Sequence, residues 1–357
     1  TGDYLKRVYT VQYNESCLDF VSRLLEEEGI YYDVDMTADG SKVVFSDDST
    51  ASDELEGGGL LAFRADGAMD VSLDHIRSIA EEHRVRSGKF VLRDYDFERP
   101  ELDQTVTAES DLYGDLERYD YPGGYTEPSE GKRRAQILLE AEQVERHTLL
   151  VEADCLRLVP GRKITIEDAL HEEVNGDYLV VATDQEMFSR RTAEQMKEET
   201  GEDGAKGRDD SYLVRATLLP LDIKYRSPLV TPRPVVHGPQ TATVVAPAGA
   251  QSEEIHTDEW GRSKVKFHWD LGPDTDDKAS CWMRTKQMQS SGSMILPRVG
   301  WEVVVEFLEG DPDKPIVTGR MFNGTFMPPY ALPEGRSRTS VKSHTTLSLL
   351  NIGQGAI

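Results

Sequence analysis

The chain has 357 residues, enough for two or three domains. It contains 40 Lys and Arg and 65 Asp and Glu, which gives a formal net charge of −25. A field of that sign repels nucleic acid and anionic membranes, and so argues against both as partners. A solvated acidic surface that keeps a large assembly soluble explains the charge equally well. The apolar runs fall short of the roughly 20 residues that a membrane helix needs.

The three cysteines, Cys17, Cys155 and Cys281, are far apart and form no C-x-x-C pair. This argues against a disulfide framework or a zinc site, and predicts buried, inert thiols in a reducing compartment. The chain begins at Thr1 without Met and ends in residues 351–357 (NIGQGAI). We therefore expect a longer polypeptide on both sides.

The first clear elements are a helix and a hairpin. Ser16 followed by Asp19 is a capping-box pattern, and Gly29 marks the end of the helix. Between them lie apolar residues at helical spacing, namely Leu18, Val21, Leu24 and Leu25. Residues 30–34 and 43–45 are β-prone and flank Asp39-Gly40, which predicts a hairpin.

The region up to residue 226 continues with mixed elements. Residues 52–68 are Gly-rich and acidic and predict a loop, whereas residues 71–102 alternate and predict strands. An amphipathic stripe predicts a helix over residues 132–147. We further predict a strand over 155–166 broken by Pro160-Gly161, an Asn175-Gly176 hairpin turn before 178–181, and a mobile polar excursion over 187–211.

A Pro-rich linker over residues 227–240 separates two kinds of sequence. Beyond it, residues 241–330 read as a compact all-β segment with turn signals between short β-branched runs. Five short strands in this length predict a small OB-type barrel. The predicted strands are residues 244–245, 265–269, 281–284, 303–307 and 316–319.

The usual motifs of catalysis and metal binding are incomplete. Residues 171–175 begin like the zinc helix H-E-x-x-H, but Asn175 replaces the second histidine. Residues 201–206 imitate a phosphate loop without its Gly-Lys-Ser/Thr end, and a G-x-S-x-G elbow is missing. His268, between Phe267 and Trp269 on a strand, is expected on the opposite face from them. We therefore predict no catalytic residue, no cofactor and no metal.

Two segments carry a family resemblance. The first is residues 11–32 (VQYNESCLDFVSRLLEEEGIYY), and the second comprises residues 236–245 (VHGPQTATVV), 257–270 (TDEWGRSKVKFHWD), 280–284 (SCWMR), 296–300 (LPRVG) and 305–320 (VEFLEGDPDKPIVTGR). Together they resemble the VgrG spike proteins of type VI secretion, a family similar to the hub and spike proteins of contractile phage tails. One departure is residues 286–293, where the family usually has a Trp- and Gly-rich loop.

The resemblance implies a mainly β fold with a few helices. Residues 1–226 would form a hub domain of tail-tube-like β-barrels, incomplete at its N-terminus. Residues 227–240 would be the linker, 241–330 an OB-fold barrel, and 331–357 the start of a trimeric β-helical needle.

It also implies a role and partners. The protein would be a structural homotrimer that joins a hexameric, Hcp-like tube to a membrane-puncturing needle and helps to deliver effector cargo. Other implied partners are a PAAR-type tip protein and baseplate proteins, with the target membrane touched only during puncture. Assembly would take place in the bacterial cytoplasm, before secretion or injection as part of the spike.

The structural and interface candidates lie in the OB segment. Its aromatic rings are more simply explained by core packing than by partner contact, and its glycines suit turns that need positive φ. The candidate residues are Trp260, Gly261, Phe267, Trp269, Trp282, Pro297, Gly300, Trp301, Phe307, Gly310 and Gly319.

Two alternatives remain at this stage. An OB-type module for oligonucleotides or oligosaccharides would use a positive groove with stacked aromatics. Residues 235–330 carry 9 Lys and Arg against 13 Asp and Glu, which weighs against nucleic acid. The second alternative is a non-catalytic carrier of a toxin or lysozyme domain outside this sequence.

Overall fold

The computed structural model describes residues 4–37, 40–64, 74–187, 212–252, 254–290 and 292–341. The chain divides into two compact units. The first comprises Thr1–Tyr4 and Val21–Pro232, and the second comprises Leu5–Phe20 and Arg233–Ile357. Residues 5–20, which the sequence places in the hub range, thus cluster with the second unit. The predicted excursion, beyond Met187, and most of the predicted needle lie outside the described residues.

Helix α1 (Cys17–Glu28) begins and ends where the sequence predicts. Ser16 Oγ accepts the Asp19 backbone N–H at 3.1 Å and donates to Asp19 Oδ2 at 2.7 Å, which completes the capping interaction. Gly29 follows with φ +70°. The predicted apolar stripe is not the buried face, because Leu18 is 66% exposed.

The buried face of α1 carries charged side chains. Arg23 and Glu26 are its buried residues. Glu26 is satisfied by Thr231, whose backbone N–H and Oγ1 donate to the two carboxylate oxygens at 3.0 and 2.6 Å. A buried carboxylate with such donors keeps its hydrogen bonds, so it replaces an apolar contact at acceptable cost.

The first unit is built on a closed six-stranded barrel with the strand order β10-β11-β8-β4-β3-β9. Its interior is filled by fully buried aliphatic side chains, including Leu61, Ile76, Ile166 and Leu218. The barrel strands are β3 (Leu60–Phe63), β4 (His75–His83), β8 (His147–Ala153), β9 (Lys163–Glu167), β10 (Gly176–Met187) and β11 (Tyr212–Pro220).

Three local predictions in this barrel are wrong. Leu60–Phe63, within the predicted loop, is a strand that pairs in parallel with both β4 and β9. The predicted strand over 155–166 starts only at Lys163. Asn175-Gly176 does not form a tight hairpin turn. Instead, Asn175 Oδ1 accepts the Ala169 N–H at 2.9 Å and bridges a longer connection between β9 and β10.

A second β layer of the first unit is a three-stranded sheet with the order β6-β5-β7. Helix α2 (Pro128–Val144) contacts β5 and β6, and its Ala135 and Leu139 pack with Phe90 in a separate core. This confirms the predicted amphipathic helix, which starts earlier than expected. The three strands are β5 (Lys89–Leu92), β6 (Val106–Glu109) and β7 (Glu117–Asp120).

The predicted hairpin is present as β1 (Tyr31–Thr37) and β2 (Gly40–Ser46), paired antiparallel from Tyr31↔Ser46 to Thr37↔Gly40. Arg226 anchors its base. This buried guanidinium donates to the Gly29 and Asp47 carbonyls and to Glu140 Oε2, each at 2.7 Å. One side chain therefore ties the hairpin and the end of α1 to α2.

The second unit contains a five-stranded sheet that an isolated bridge closes into a barrel. Four of the five predicted strands are confirmed, whereas the strand predicted over residues 281–284 is found only at Arg284–Thr285. The sheet order is β13-β12-β15-β16-β14. Two hydrogen bonds of 2.9 Å between Ser263 and Met283 close it, beside a parallel β14–β16 pair. The strands are β12 (Gln240–Val245), β13 (Lys264–Phe267), β14 (Arg284–Thr285), β15 (Glu302–Phe307) and β16 (Pro315–Met321). The mainly β fold class is confirmed.

Candidate interaction surfaces

An aromatic row runs from the inside to the outside of the second barrel. Phe267 is only 2% exposed and belongs to the core. Its ring stacks on Trp269 at 5.0 Å and on Phe307 at 5.8 Å between centroids. Trp269 itself is 39% exposed, so the row ends at the surface.

The N-terminal segment covers part of that row. Tyr13 meets the Trp269 ring edge-on at 5.8 Å, and its hydroxyl accepts from Gln240 Nε2 at 3.0 Å. Gln240 Oε1 in turn accepts from Trp269 Nε1 at 2.7 Å. The Val11 N–H donates to Asp313 Oδ1 at 2.7 Å. Trp269 is thereby fixed by residues far apart in the chain.

The other three indoles have different surroundings. Trp301 packs against the core under the guanidinium of Arg320, 3.3 Å from its ring centroid. Trp282 lies between His256, at 4.8 Å, and Lys264 Nζ, at 4.9 Å from its centroid. Trp260 is 47% exposed on the Asp258 turn.

The candidate glycines divide into two groups. Gly261, Gly300 and Gly310 have φ between +69° and +89°, as expected for turns. A Cβ at Gly300 would lie 2.9 Å from Phe326, and one at Gly310 would lie 2.7 Å from Val235. For Gly319 the turn prediction is wrong, because it lies inside β16 and pairs with Val304. Pro297, the remaining candidate, is buried.

The cysteines differ in their surroundings. Burial is the main cause that raises the pKa of Cys155 and of Cys281 to about 11, so both thiols are poor nucleophiles. Cys17 is exposed, contrary to the expectation that all three are buried. The prediction of inert thiols therefore fits Cys155 and Cys281 but not the exposed Cys17.

The hairpin β1–β2 presents an apolar outer face. Tyr32 pairs with Phe45 and Val34 pairs with Val43, so these four side chains share one side of the two-stranded sheet. All four are exposed, with Phe45 at 57%. We call these four residues the hairpin patch. A contiguous apolar face of this kind is typical of a protein–protein contact.

A histidine–carboxylate group was missed by the sequence analysis. His83 Nε2 and His147 Nε2 lie 3.1 and 2.8 Å from the same oxygen, Glu81 Oε1. Desolvation raises the pKa of Glu81, but the hydrogen bonds from His147 and His83 outweigh it and lower the pKa overall. His171, the one histidine of the incomplete zinc motif, is exposed beside a short 3₁₀ turn.

Among the described residues, no helix combines the length and the apolarity that a bilayer crossing requires.

A closed β-barrel unit and an OB-type unit on one chain form the architecture of baseplate hub proteins. The sequence matches the family described as phage tail baseplate hub (GPD) over residues 1–189. It matches the type VI secretion system/phage-baseplate injector OB domain over residues 251–322. The chain belongs to the phage tail baseplate hub family.

Curated relatives extend the likeness across nearly the whole chain. Type VI secretion system spike protein VgrG1b of Pseudomonas aeruginosa is 36% identical over 353 residues, which cover 96% of this chain and 46% of that protein. VgrG1a of the same organism is 35% identical over 356 residues, with 97% and 53% covered. The chain spans about half the length of these relatives. The predicted resemblance to VgrG spike proteins is confirmed.

A solved structure supports the fold. The E. coli c3393 protein is described as a component of the type VI secretion system with structural similarity to the T4 bacteriophage tail proteins gp27 and gp5. It matches with a TM-score of 0.53 at 20% identity, covering 87% of this chain and 62% of that one. At this identity the likeness concerns the fold alone.

Proposed function

We propose that this chain forms the hub and the base of the spike in a contractile injection apparatus. It acts there as a structural homotrimer between a hexameric inner tube and a membrane-puncturing needle. The observation that carries the proposal is the presence of a closed hub barrel and an OB barrel, in that order, on one chain of this family.

Symmetry gives the trimer a physical reason. A tube of six subunits and a needle on a three-fold axis need a joint that fits both. The closed barrel and the three-stranded sheet with α2 are two separate β units in one chain. Three chains would present six such units to a tube of the Hcp type, without a separate adaptor.

Uncovered apolar surface favours self-association. The hairpin patch is exposed on an isolated chain. Its burial against another copy would contribute roughly 25 cal/mol per Å² of apolar area. The net charge of −25 keeps such a subunit soluble before assembly.

The proposed role is non-catalytic. Cys155 is buried and Cys281 is partly buried, and both are held as thiols by their raised pKa, so neither is an activated nucleophile. Effector cargo, a PAAR-type tip protein and baseplate proteins are the further partners proposed. Assembly in the bacterial cytoplasm, followed by export with the spike, belongs to the same proposal.

Sedimentation velocity of the complete polypeptide at micromolar concentration tests the trimer. We expect one species at three times the chain mass. Electron micrographs of that species mixed with its hexameric tube protein should show it at one end of the tube only. A monomer throughout the concentration range, or a trimer that never caps a tube, overturns the proposal.

A further inference from the structure

The pairing of β4 with β8 places three potential metal ligands on one face of the barrel wall. His83 pairs with His147, Glu81 pairs with Leu149, and the two strands remain in register between these positions. Because cross-strand partners and residues two apart share a face, Glu81, His83, His147 and Leu149 all point to one side.

That side is the interior of the barrel. Leu149 and Val151 on the same face of β8 are 1% and 3% exposed and belong to the barrel core. Toward the end of the strands the interior lining changes from these aliphatic residues to the Glu81–His83–His147 group. The group therefore lies at a mouth of the barrel, between a dry core and solvent.

The ligand atoms lie close together. Besides the two short distances to Glu81 Oε1, the imidazole rings of His83 and His147 are stacked, with centroids 4.3 Å apart and planes inclined by 15°. One ligand atom from each of the three residues lies within 4.8 Å of the other two. Just past the pair, the Arg84 N–H donates to the Arg146 carbonyl at 2.9 Å, so the backbone on both sides is fixed.

We propose that Glu81, His83 and His147 form a binding site for a divalent transition-metal ion, with Zn²⁺ as the best match. Two imidazole nitrogens and one carboxylate oxygen are a common donor set for zinc, and three protein ligands leave a fourth position open. Ligand atoms around tetrahedral zinc lie about 3.4 Å apart, given bonds of about 2.0–2.1 Å. The present O···N distances of 2.8 and 3.1 Å need to widen by a few tenths of an ångström. The two stacked imidazole rings must also turn so that both Nε2 lone pairs meet at the ion, which the exposed side chain of His83 allows.

The guanidinium of Arg84, the residue after His83, does not compete for the site. The Arg84 guanidinium is held by Glu82 and Glu145, at 2.8 and 3.2 Å. Glu82 lies between Glu81 and His83 in β4, so its side chain points to the opposite face of the sheet. The open coordination position faces outward, because the side chain of His83 is 65% exposed and that of Glu81 is 42% exposed. A water molecule or a fourth side chain from a partner can occupy it.

The expected consequence is a metal staple between two adjacent strands. β4 and β8 are joined by backbone hydrogen bonds, by side-chain packing and by the Glu81–His147 contact, and the ion would join their ends directly. Since the ligands converge only in the folded barrel, binding stabilises the folded state by mass action. This inference concerns the hub barrel alone and does not depend on the proposed trimer.

The test is calorimetric titration of Zn²⁺ into the complete polypeptide after removal of metal with a chelator. We expect one site per chain and a zinc-dependent rise in the melting temperature. His83→Ala and His147→Ala should each weaken binding at least tenfold. His171→Ala, which removes an exposed histidine of the same unit, should bind like the parent.

The proposed zinc site is ruled out if the parent binds no zinc up to millimolar concentration, or if His147→Ala binds zinc as tightly as the parent. Circular dichroism of each metal-free variant checks that it is folded. If a variant fails to fold, Co²⁺ added to the parent decides the question. Intense visible bands of tetrahedral cobalt support the site, and the weak spectrum of hydrated cobalt contradicts it.

Discussion

Arg320 lies over the indole of Trp301, with its guanidinium carbon 3.3 Å from the ring centroid. The indole also packs against the core of the OB barrel. Trp301 is thus held between an apolar interior and a cation, where a large flat ring gains from both contacts. Its backbone also joins the sheet, since its carbonyl accepts the Val244 N–H at 2.9 Å.

We predict that Trp301→Ala lowers the free energy of unfolding by about 3 kcal/mol, the lower end of the range for a core aromatic ring, because the partly buried indole leaves a void and the stacking contact is lost. The measurement is a urea denaturation curve followed by circular dichroism. The control is Trp260→Ala, since that residue is about half exposed and its loss should change stability by less than about 1 kcal/mol. Equal midpoints for the two variants would contradict the burial of Trp301.

We predict that Gly300→Ala destabilises the same barrel. Its φ of +89° is costly for any residue with a Cβ, by about 1–2 kcal/mol. The new Cβ would also lie 2.9 Å from the ring of Phe326. Gly324→Ala is the matched control because a Cβ there meets nothing within 4 Å. In thermal melts, Gly300→Ala should unfold at a lower temperature than Gly324→Ala. A melting temperature of Gly300→Ala at or above that of Gly324→Ala would contradict the strain predicted at position 300.

The elements that local sequence determines were the ones predicted well. Ser16 and Gly29 mark the start and the end of α1, because capping and a positive φ depend on adjacent residues. Four of the five OB strands follow from short β-branched runs between turn signals, whereas the short strand at Arg284–Thr285 lies at the end of the segment predicted for it. β3 was missed because Leu60–Phe63 is short, follows three glycines, and pairs only in parallel with distant strands.

Features that depend on pairing between distant residues could not be predicted from the sequence. The convergence of Glu81 with His147 follows from the β4–β8 register, which no local pattern specifies. The buried face of α1 is set by Thr231, which binds Glu26. A helical stripe read from hydrophobicity alone therefore favours Leu18, which the fold leaves exposed.

We predict that one cysteine of the three reacts rapidly with a maleimide near pH 7.5. Cys17 is exposed, whereas burial raises the pKa of the Cys155 and Cys281 thiols and keeps them protonated. Mass spectrometry of peptides after brief labelling identifies the modified residue. Cys17→Ser should abolish fast labelling. Rapid modification of Cys281 in the native protein would show that its surroundings are open.

The same thiols predict a loss of stability in alkali. Their pKa is about 11 in the folded protein and about 9 when unfolded. Their contribution is therefore complete below pH 9 and is lost as the pH rises through 11. The denaturation midpoint of the parent should fall more between pH 8 and pH 10 than that of a Cys155→Ala, Cys281→Ala double variant. Parallel decreases would exclude the two thiols as the cause.

The last prediction concerns the hairpin patch. If a second copy of the chain covers Tyr32, Val34, Val43 and Phe45, a charge placed there must be desolvated on assembly. Val43→Asp with Phe45→Asp should shift sedimentation from the trimer toward a folded monomer. Leu170→Asp is the control because Leu170 is 82% exposed and lies outside the patch. A trimer of unchanged stability in the Val43→Asp, Phe45→Asp variant would mean that the patch faces solvent or another partner. If the Leu170→Asp control also dissociates, the cause is the added negative charge on a chain that already carries −25.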